Sequence, residues 1–206
     1  MSILEFFRYL GVSDFWKVLV VQHLFRTLGR DIARFQKRTR LGCQPGCGRC
    51  CEGPHVETTV LEMMPLAAHL WQKGEASRWL ETVEKAGNPS PCVFYQPDPA
   101  GQGKGRCSVY PLRPLICRLF GFSANRDKQG HRVLMTCARI KENQTADYLD
   151  VQKHIDSGLP VPVMSDYILR VSPIDPVLGQ KQVPINDAIH RAIERIGLRM
   201  SLRSRR

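Results

Sequence analysis

Four of the eight cysteines fall within nine residues, as Cys43-x3-Cys47-x2-Cys50-Cys51, set among Gly42, Pro45, Gly46 and Gly48. Thiols so close in sequence reach a common point only if the backbone turns tightly, and glycine and proline supply such turns. A metal ion or cluster needs several thiolates converging from one side, so the spacing favours ligation over inert buried thiols. Cys50 and Cys51 are adjacent. Neighbouring side chains on extended backbone point apart, so the two serve different metal atoms, or one ligates while the other packs or acts as an outer thiol. Cys92, Cys107, Cys117 and Cys137 are spaced singly. Structural zinc usually draws on two separate Cys-x2-Cys knuckles, whereas one dense loop completed by remote cysteines suits an iron–sulfur cluster. The expectation is therefore a cluster, [4Fe–4S] in type, with zinc as the alternative.

The rest of the chain is consistent with reduced thiols. Within its 206 residues the most apolar run, residues 15–25, is broken by Lys17, Gln22 and His23, short of the roughly 20 apolar residues that span a bilayer. The opening MSILEFFRYLGVSDFW lacks the basic region and small-residue cleavage site of a secretory signal. A cytoplasmic location is expected. There a cysteine-dense chain is more often metal-binding or catalytic than disulfide-linked.

Periodicity indicates a mainly α fold with short β pieces and long irregular loops, a metal-stapled single domain with amphipathic helices at both ends. In the N-terminal segment Val21, Leu24, Leu28, Ile32 and Phe35 recur every three or four residues, with Arg26, Arg30, Arg34 and Arg38 as a second stripe. Gly42 and the turn-rich segment after it are expected to stop that helix. Thr59 and Glu62 have the spacing of a capping box before an apolar run to Trp71, in which Pro65 is expected to kink the helix or delay its start. The segment SRWLETVEKAG reads as a second helix ending at Gly87, and DKQG, residues 127–130, as a hairpin turn. Prolines 160, 162, 173, 176 and 184 suggest an extended connector. A last helix is expected from Asn186 or Asp187 to about Leu202, with Ile189, Ile193, Ile196 and Met200 inward and Arg191, Arg195, Arg199 and Arg203 outward. Residues 1–42 then form a helical segment packed on a cysteine-rich core, 43–140, followed by a helical and proline-rich extension, 141–206.

The formal charge is +11, from 30 Lys and Arg against 19 Asp and Glu. Two uses follow. A thiolate-ligated cluster is net negative, and Arg49, Arg106, Arg113, Arg118 and Arg139 lie near cysteines in sequence, where they can offset that charge. The arginine stripes of the terminal helices are candidate faces for nucleic acid or an acidic protein, although aromatic interleaving and known reading motifs are missing. His55 and His131 are weaker ligand candidates. Cys43, Cys47 and Cys50 also match the spacing of radical S-adenosylmethionine enzymes, but such a loop follows a barrel strand, and here a helix precedes it.

CQPGCGRCC, then PCVFY at Cys92, CSVYPLRPLICRLFGF from Cys107 and a last cysteine at Cys137, resembles the CxxCxxCC, YkgJ-like family of zinc- or iron-chelating domains, over approximately residues 43 to 122. The resemblance implies ligation by Cys43, Cys47, Cys50, Cys51, Cys92, Cys107 and Cys117, accompanied by Tyr110, Arg113, Pro114 and Arg118; Cys137 lies outside the strongest block. The first gap here is three residues rather than two, which bears on Cys43. The expected role is redox, iron handling or sensing; the alternative is structural zinc with basic helices for a partner. A third reading is a cluster-dependent enzyme such as a protein-modifying methylase, for which no nucleotide-binding glycine loop is present.

Because metal binding and folding are coupled at such sites, Cys47→Ser and Cys50→Ser should each lose metal and melt at lower temperature; full metal content and unchanged melting in both would contradict the ligand assignment. Arg199→Ala and Arg203→Ala are expected, from the stripe alone, to weaken only partner binding.

Overall fold

A computed structural model describes residues 12–99, 101, 104–155 and 157–204, with side chains for 14–201 of these. The N-terminal stripe forms one long helix, α1 (Val12–Thr39), which buries Val18, Val21, Phe25, Leu28 and Phe35 and leaves Arg26, Arg30, Arg34 and Arg38 exposed. It stops before Gly42. The Thr39 hydroxyl donates to the Phe35 carbonyl at 2.8 Å and accepts from the Leu41 amide at 3.3 Å, so a side chain turns the backbone out of the helix.

The capping box is formed. A short strand, β1 (Glu57–Thr59), leads into α2 (Val60–Lys73), whose Glu62 amide donates to Thr59 Oγ1 at 3.3 Å. Pro65 neither delays nor ends α2. Helix α3 (Ala76–Ala86) follows and ends at Gly87 as expected. Two strands, β2 (Tyr95–Pro97) and β3 (Gly105–Cys107), make an antiparallel hairpin, and the short helix α4 (Leu115–Leu119) carries Cys117. The DKQG turn joins β4 (Ser123–Arg126) to β5 (Arg132–Met135), followed by α5 (Ala138–Asn143) and α6 (Thr145–His154).

The proline-rich region is not an extended connector. It holds α7 (Met164–Val171) and α8 (Pro176–Gly179) before β6 (Gln182–Pro184). The prolines sit at boundaries: Pro176 takes the first helical position, where its missing N–H costs nothing, and Asp175 caps the helix by accepting from the Val177 and Leu178 amides at 3.0 and 3.1 Å. β6 pairs antiparallel with β1, placing Thr58 opposite Val183. The last helix, α9 (Ile185–Ser204), starts just before the expected caps and buries Ile189, Ile193 and Ile196 against α2. Trp71 Nε1 donates to the Ile193 carbonyl at 2.8 Å, and a Cβ on Gly197 would stand 2.4 Å from the same indole. Glycine there lets α2 and α9 approach closely.

These helices share one large apolar cluster, and a smaller one joins Phe35, Leu41, Ala124, Leu134, Ile140 and Val151. Among the described residues no helix is long and apolar enough to cross a membrane.

Two members of the supposed partner face have internal work instead. Asp14, with its side chain 1% exposed, accepts from Arg195 Nη2 at 3.2 Å and Arg199 Nε at 2.7 Å, tying the start of α1 to the end of α9. Lys17 joins the group and reaches Asp175 at 2.7 Å. Arg191 is exposed, and the Arg203 side chain lies outside those described. Burial would raise the Asp14 carboxyl, but Arg195 and Lys17 outweigh it and hold it below the ordinary carboxylate range.

Hydrogen bonds to charged groups contribute about 1.5–3 kcal/mol each, so Asp14→Asn should lower the melting temperature by several degrees, at about 2–4 °C per kcal/mol for a chain of this size. Arg199→Ala should do the same, rather than affect partner binding alone. A depressed folded-state carboxyl contributes stability above its unfolded pKa and loses it as pH falls through the folded one. The gap between wild type and Asp14→Asn should be full at neutral pH and narrow below about pH 4; a gap that widens in acid would contradict the assignment.

Candidate metal centre

The cysteine knuckle rests on the β2–β3 hairpin. The Gly105 amide donates to the Gly46 carbonyl at 2.9 Å, and Cys47 bridges Lys104. Contact is so close that a Cβ on Gly48 would lie 2.6 Å from the Tyr95 ring and 3.0 Å from Gly105 backbone. The Tyr95 hydroxyl lies 3.2 Å from both Glu52 Oε1 and the Lys104 carbonyl, pinning the ring under the knuckle. A tight turn, Arg49–Cys51, then presents two adjacent thiols.

Five thiols line one cavity of about 400 Å³: Cys50, Cys51, Cys92, Cys107 and Cys117, with Met63, Leu66, Phe94 and Phe120 among its apolar walls. Two of the remote thiols, Cys92 and Cys117, are positioned by long-range clamps. Asn186 accepts from the Val93 amide at 3.1 Å and donates to Ser90 Oγ and the Pro91 carbonyl at 2.9 and 3.0 Å, fixing the loop that carries Cys92. Glu62 accepts from the Leu115 amide at 2.7 Å and so holds the start of the helix bearing Cys117. Cys107 ends β3, opposite Tyr95.

The other thiols gather elsewhere. Cys43, Cys47 and Cys137 line a small pocket of about 10 Å³, with Arg139 Nη1 3.6 Å from Cys47 Sγ. Gln144 anchors this side by accepting from the Gly42 amide at 2.9 Å and donating to the Gly42 carbonyl at 2.7 Å. Cys137 Sγ accepts from the Ile140 amide at 3.4 Å and caps α5. The two groups also rest on different cores: Cys92, Cys107 and Cys117 pack against the large cluster, Cys137 against the small one. All eight cysteines are free thiols. Among the described residues no three histidine, cysteine or carboxylate side chains converge on a point that would hold one metal ion.

Electrostatics distinguish the thiols. A hydrogen bond from Cys51 lowers Cys50 to about 6 against the opposing effect of burial, with Arg113 assisting. The same bond, then burial, pushes Cys51 far upward. Burial raises Cys92 and Cys117 to about 12, with neighbouring thiols adding to it, and also raises Cys107. Cys43 stands at about 11, through burial and then Cys47, with Cys50 and Cys137 contributing. Cys43 and Cys50 are exposed and the other six half-buried, but crowded, partly desolvated thiols resist ionisation unless a cation compensates them, and a bound metal supplies that charge. This donor set fits a thiolate-bound centre.

The accompanying residues divide by role. Arg113 lines the larger cavity and its charge opposes the upward shift at Cys107 and Cys117; its guanidinium stacks 3.4 Å over the exposed Tyr110 ring. Arg118 faces away from the cavity: it donates to the Arg113 carbonyl at 2.6 Å and to Pro111, with its charge 4.5 Å over Phe25 of α1, and burial lowers it to about 10. It braces the turn. Arg49 pairs with Glu52 and Arg106 with Gln96, both away from the thiols. His55 lines the larger cavity, whereas His131 sits exposed in the β4–β5 hairpin, 3.3 Å from Asp127, and lines neither cavity. The clamps Glu62, Asn186 and Gln144 were not legible as site residues. Glu62 and Asn186 carry signals for helix caps, and a capping reading conceals their second partners.

With this geometry in view, a family model described as "CxxCxxCC: Putative zinc- or iron-chelating domain" matches residues 42–146, about half of the chain. The chain belongs to this metal-chelating family. Neither the curated proteins nor the solved structures include a match.

Gly48→Val would force the knuckle off Tyr95 and the Gly105 backbone. Bound metal per chain should fall while far-ultraviolet circular dichroism stays close to wild type, because the helices do not depend on that contact; full metal content would show that the knuckle tolerates displacement.

Proposed function

We propose that the larger thiol group holds an iron–sulfur cluster, of [4Fe–4S] type, and that the protein serves a redox, iron-handling or sensing role. The observation that supports this is a cavity of about 400 Å³ with five cysteines on its walls. A single zinc ion draws four sulfurs to about 2.3 Å, hence to mutual distances of roughly 3.8 Å for a tetrahedron, and leaves no such space. A multi-atom centre spreads its ligands around a volume.

Cys51, Cys92, Cys107 and Cys117 would hold the cluster, which would supply one-electron chemistry when bound. Arg113 would compensate thiolate charge, and the cavity walls are largely apolar. Cys43, Cys47 and Cys137, with Cys50 beside them, would form a second thiolate group against Arg139 and Gln144. Zinc is the alternative occupant, through the same thiols.

Anaerobic purification followed by visible absorption and analysis of iron, sulfide and zinc tests this. We expect a brown protein with iron and acid-labile sulfide in equal amounts, lost in Cys92→Ser and Cys117→Ser and retained in Cys137→Ser. A colourless protein with stoichiometric zinc and no sulfide would overturn the cluster reading.

A further inference from the structure

Away from the cysteines, a polar cleft of about 320 Å³ gathers five arginines from four elements: Arg34 and Arg38 of α1, Arg126 of β4, Arg132 of β5 and Arg170 of α7. The sequence shows only half of this. Arg34 and Arg38 belong to an evident stripe, while the other three are scattered over residues 126–170 and meet them only because α7 and the β4–β5 hairpin pack beside α1.

Two carboxylates also line the cleft, and neither cancels its charge. Asp31 accepts from the buried Tyr167 hydroxyl and lies 3.4 Å from Arg34; Asp166 lies 3.5 Å from Arg126. The arginines of both pairs are exposed, at 71% and 46%. Such ion pairs are weak and readily exchanged for a better acceptor. Arg170 stacks 5.0 Å from the Tyr167 ring, and among the described residues Arg38 has no carboxylate within ion-pair distance.

We infer that this cleft binds a compact polyphosphate anion, of the size of pyrophosphate or the diphosphate of a nucleotide. Guanidinium is the group that matches phosphate oxygens in bidentate fashion. Convergence from four elements surrounds a compact anion, whereas a lone helical stripe would suit an extended strand. The volume is that of a small-molecule site.

The test is calorimetric titration of the full-length protein with pyrophosphate, then ADP, then a single-stranded RNA, at 150 mM salt. Pyrophosphate should bind measurably, and Arg38→Ala and Arg170→Ala should each weaken it about tenfold or more. Arg170→Lys should recover only part of the loss, since a point charge lacks the fork. Arg26→Ala and Arg191→Ala, exposed arginines outside the cleft, should change it less than twofold. Circular dichroism melting of each variant separates misfolding from lost contact. Absence of pyrophosphate and ADP binding in the wild type, or equal losses at Arg26 and Arg38, would overturn the inference. RNA binding without pyrophosphate binding would assign the surface to nucleic acid instead. Because pyrophosphate also chelates iron and zinc, metal per chain is measured before and after the titration; heat that follows metal loss and is indifferent to Arg38 and Arg170 would overturn the inference, whereas cluster loss in Cys92→Ser with pyrophosphate binding retained would separate this site from the thiols.

Discussion

Thiols carried on irregular backbone cannot be aimed by a regular hydrogen-bond ladder, and the arrangement of this molecule follows from how that is solved. Three cysteine-bearing segments are fixed by a buried or half-buried polar side chain from a distant segment: Asn186 for Cys92, Glu62 for the helix of Cys117, Gln144 for Gly42 next to Cys43. Glu62 is the clearest case. It is 4% exposed and receives the Leu115 amide as well as the Thr59 hydroxyl, and burial raises its carboxyl against these donors. A buried carboxylate is costly without such partners, so α2 cannot shift without disturbing α4. The helical scaffold and the thiol geometry are mechanically one object.

The excess positive charge is distributed by the same fold into separate tasks. Arg195 and Arg199 close the chain ends on Asp14, Arg118 braces the turn before Cys117, and Arg113 and Arg139 face sulfur. A further five line the cleft beside α1. A net charge of +11 therefore describes no single surface. It is the sum of structural ion pairs, arginines beside the thiols and a separate group that lines the cleft.

Local signals were legible where one short-range rule decides the outcome. Thr59 and Glu62 form the box their spacing implies, Gly87 ends α3, and DKQG turns a hairpin, because each depends on residues within four positions. The amphipathic stripes likewise reported which faces of α1 and α9 are buried. What pattern could not reveal depends on contacts across a hundred residues. Arg199 and Arg191 belong to the same i, i+4 stripe, and only the packing of α9 against the start of α1 brings Asp14 within reach of one and not the other. His131 sits six residues before a cysteine, yet a hairpin carries it away from the thiols. Prolines 173 and 176 suggested extension, but a proline at a helix start is compatible with the helix that follows.

The division of the thiols follows from the one peptide that joins Cys50 to Cys51. Cys51 turns toward Cys107 and Cys117 and the large apolar cluster, while Cys50 stands within the field of Cys43 and also on the wall of the larger cavity. Adjacent residues in a tight turn cannot move independently, so a change of charge at either thiol is felt by the other, as their shared hydrogen bond already records. The groups rest on separate hydrophobic clusters, which are joined through α1, since Phe25 and Leu28 belong to the large cluster and Phe35 to the small one. Phe35 also lines the arginine cleft. One continuous helix thus touches both thiol-supporting cores and the cleft. Any rearrangement that shifts α1 along its axis must be accommodated at all three, because close-packed cores yield in discrete steps rather than by gradual deformation.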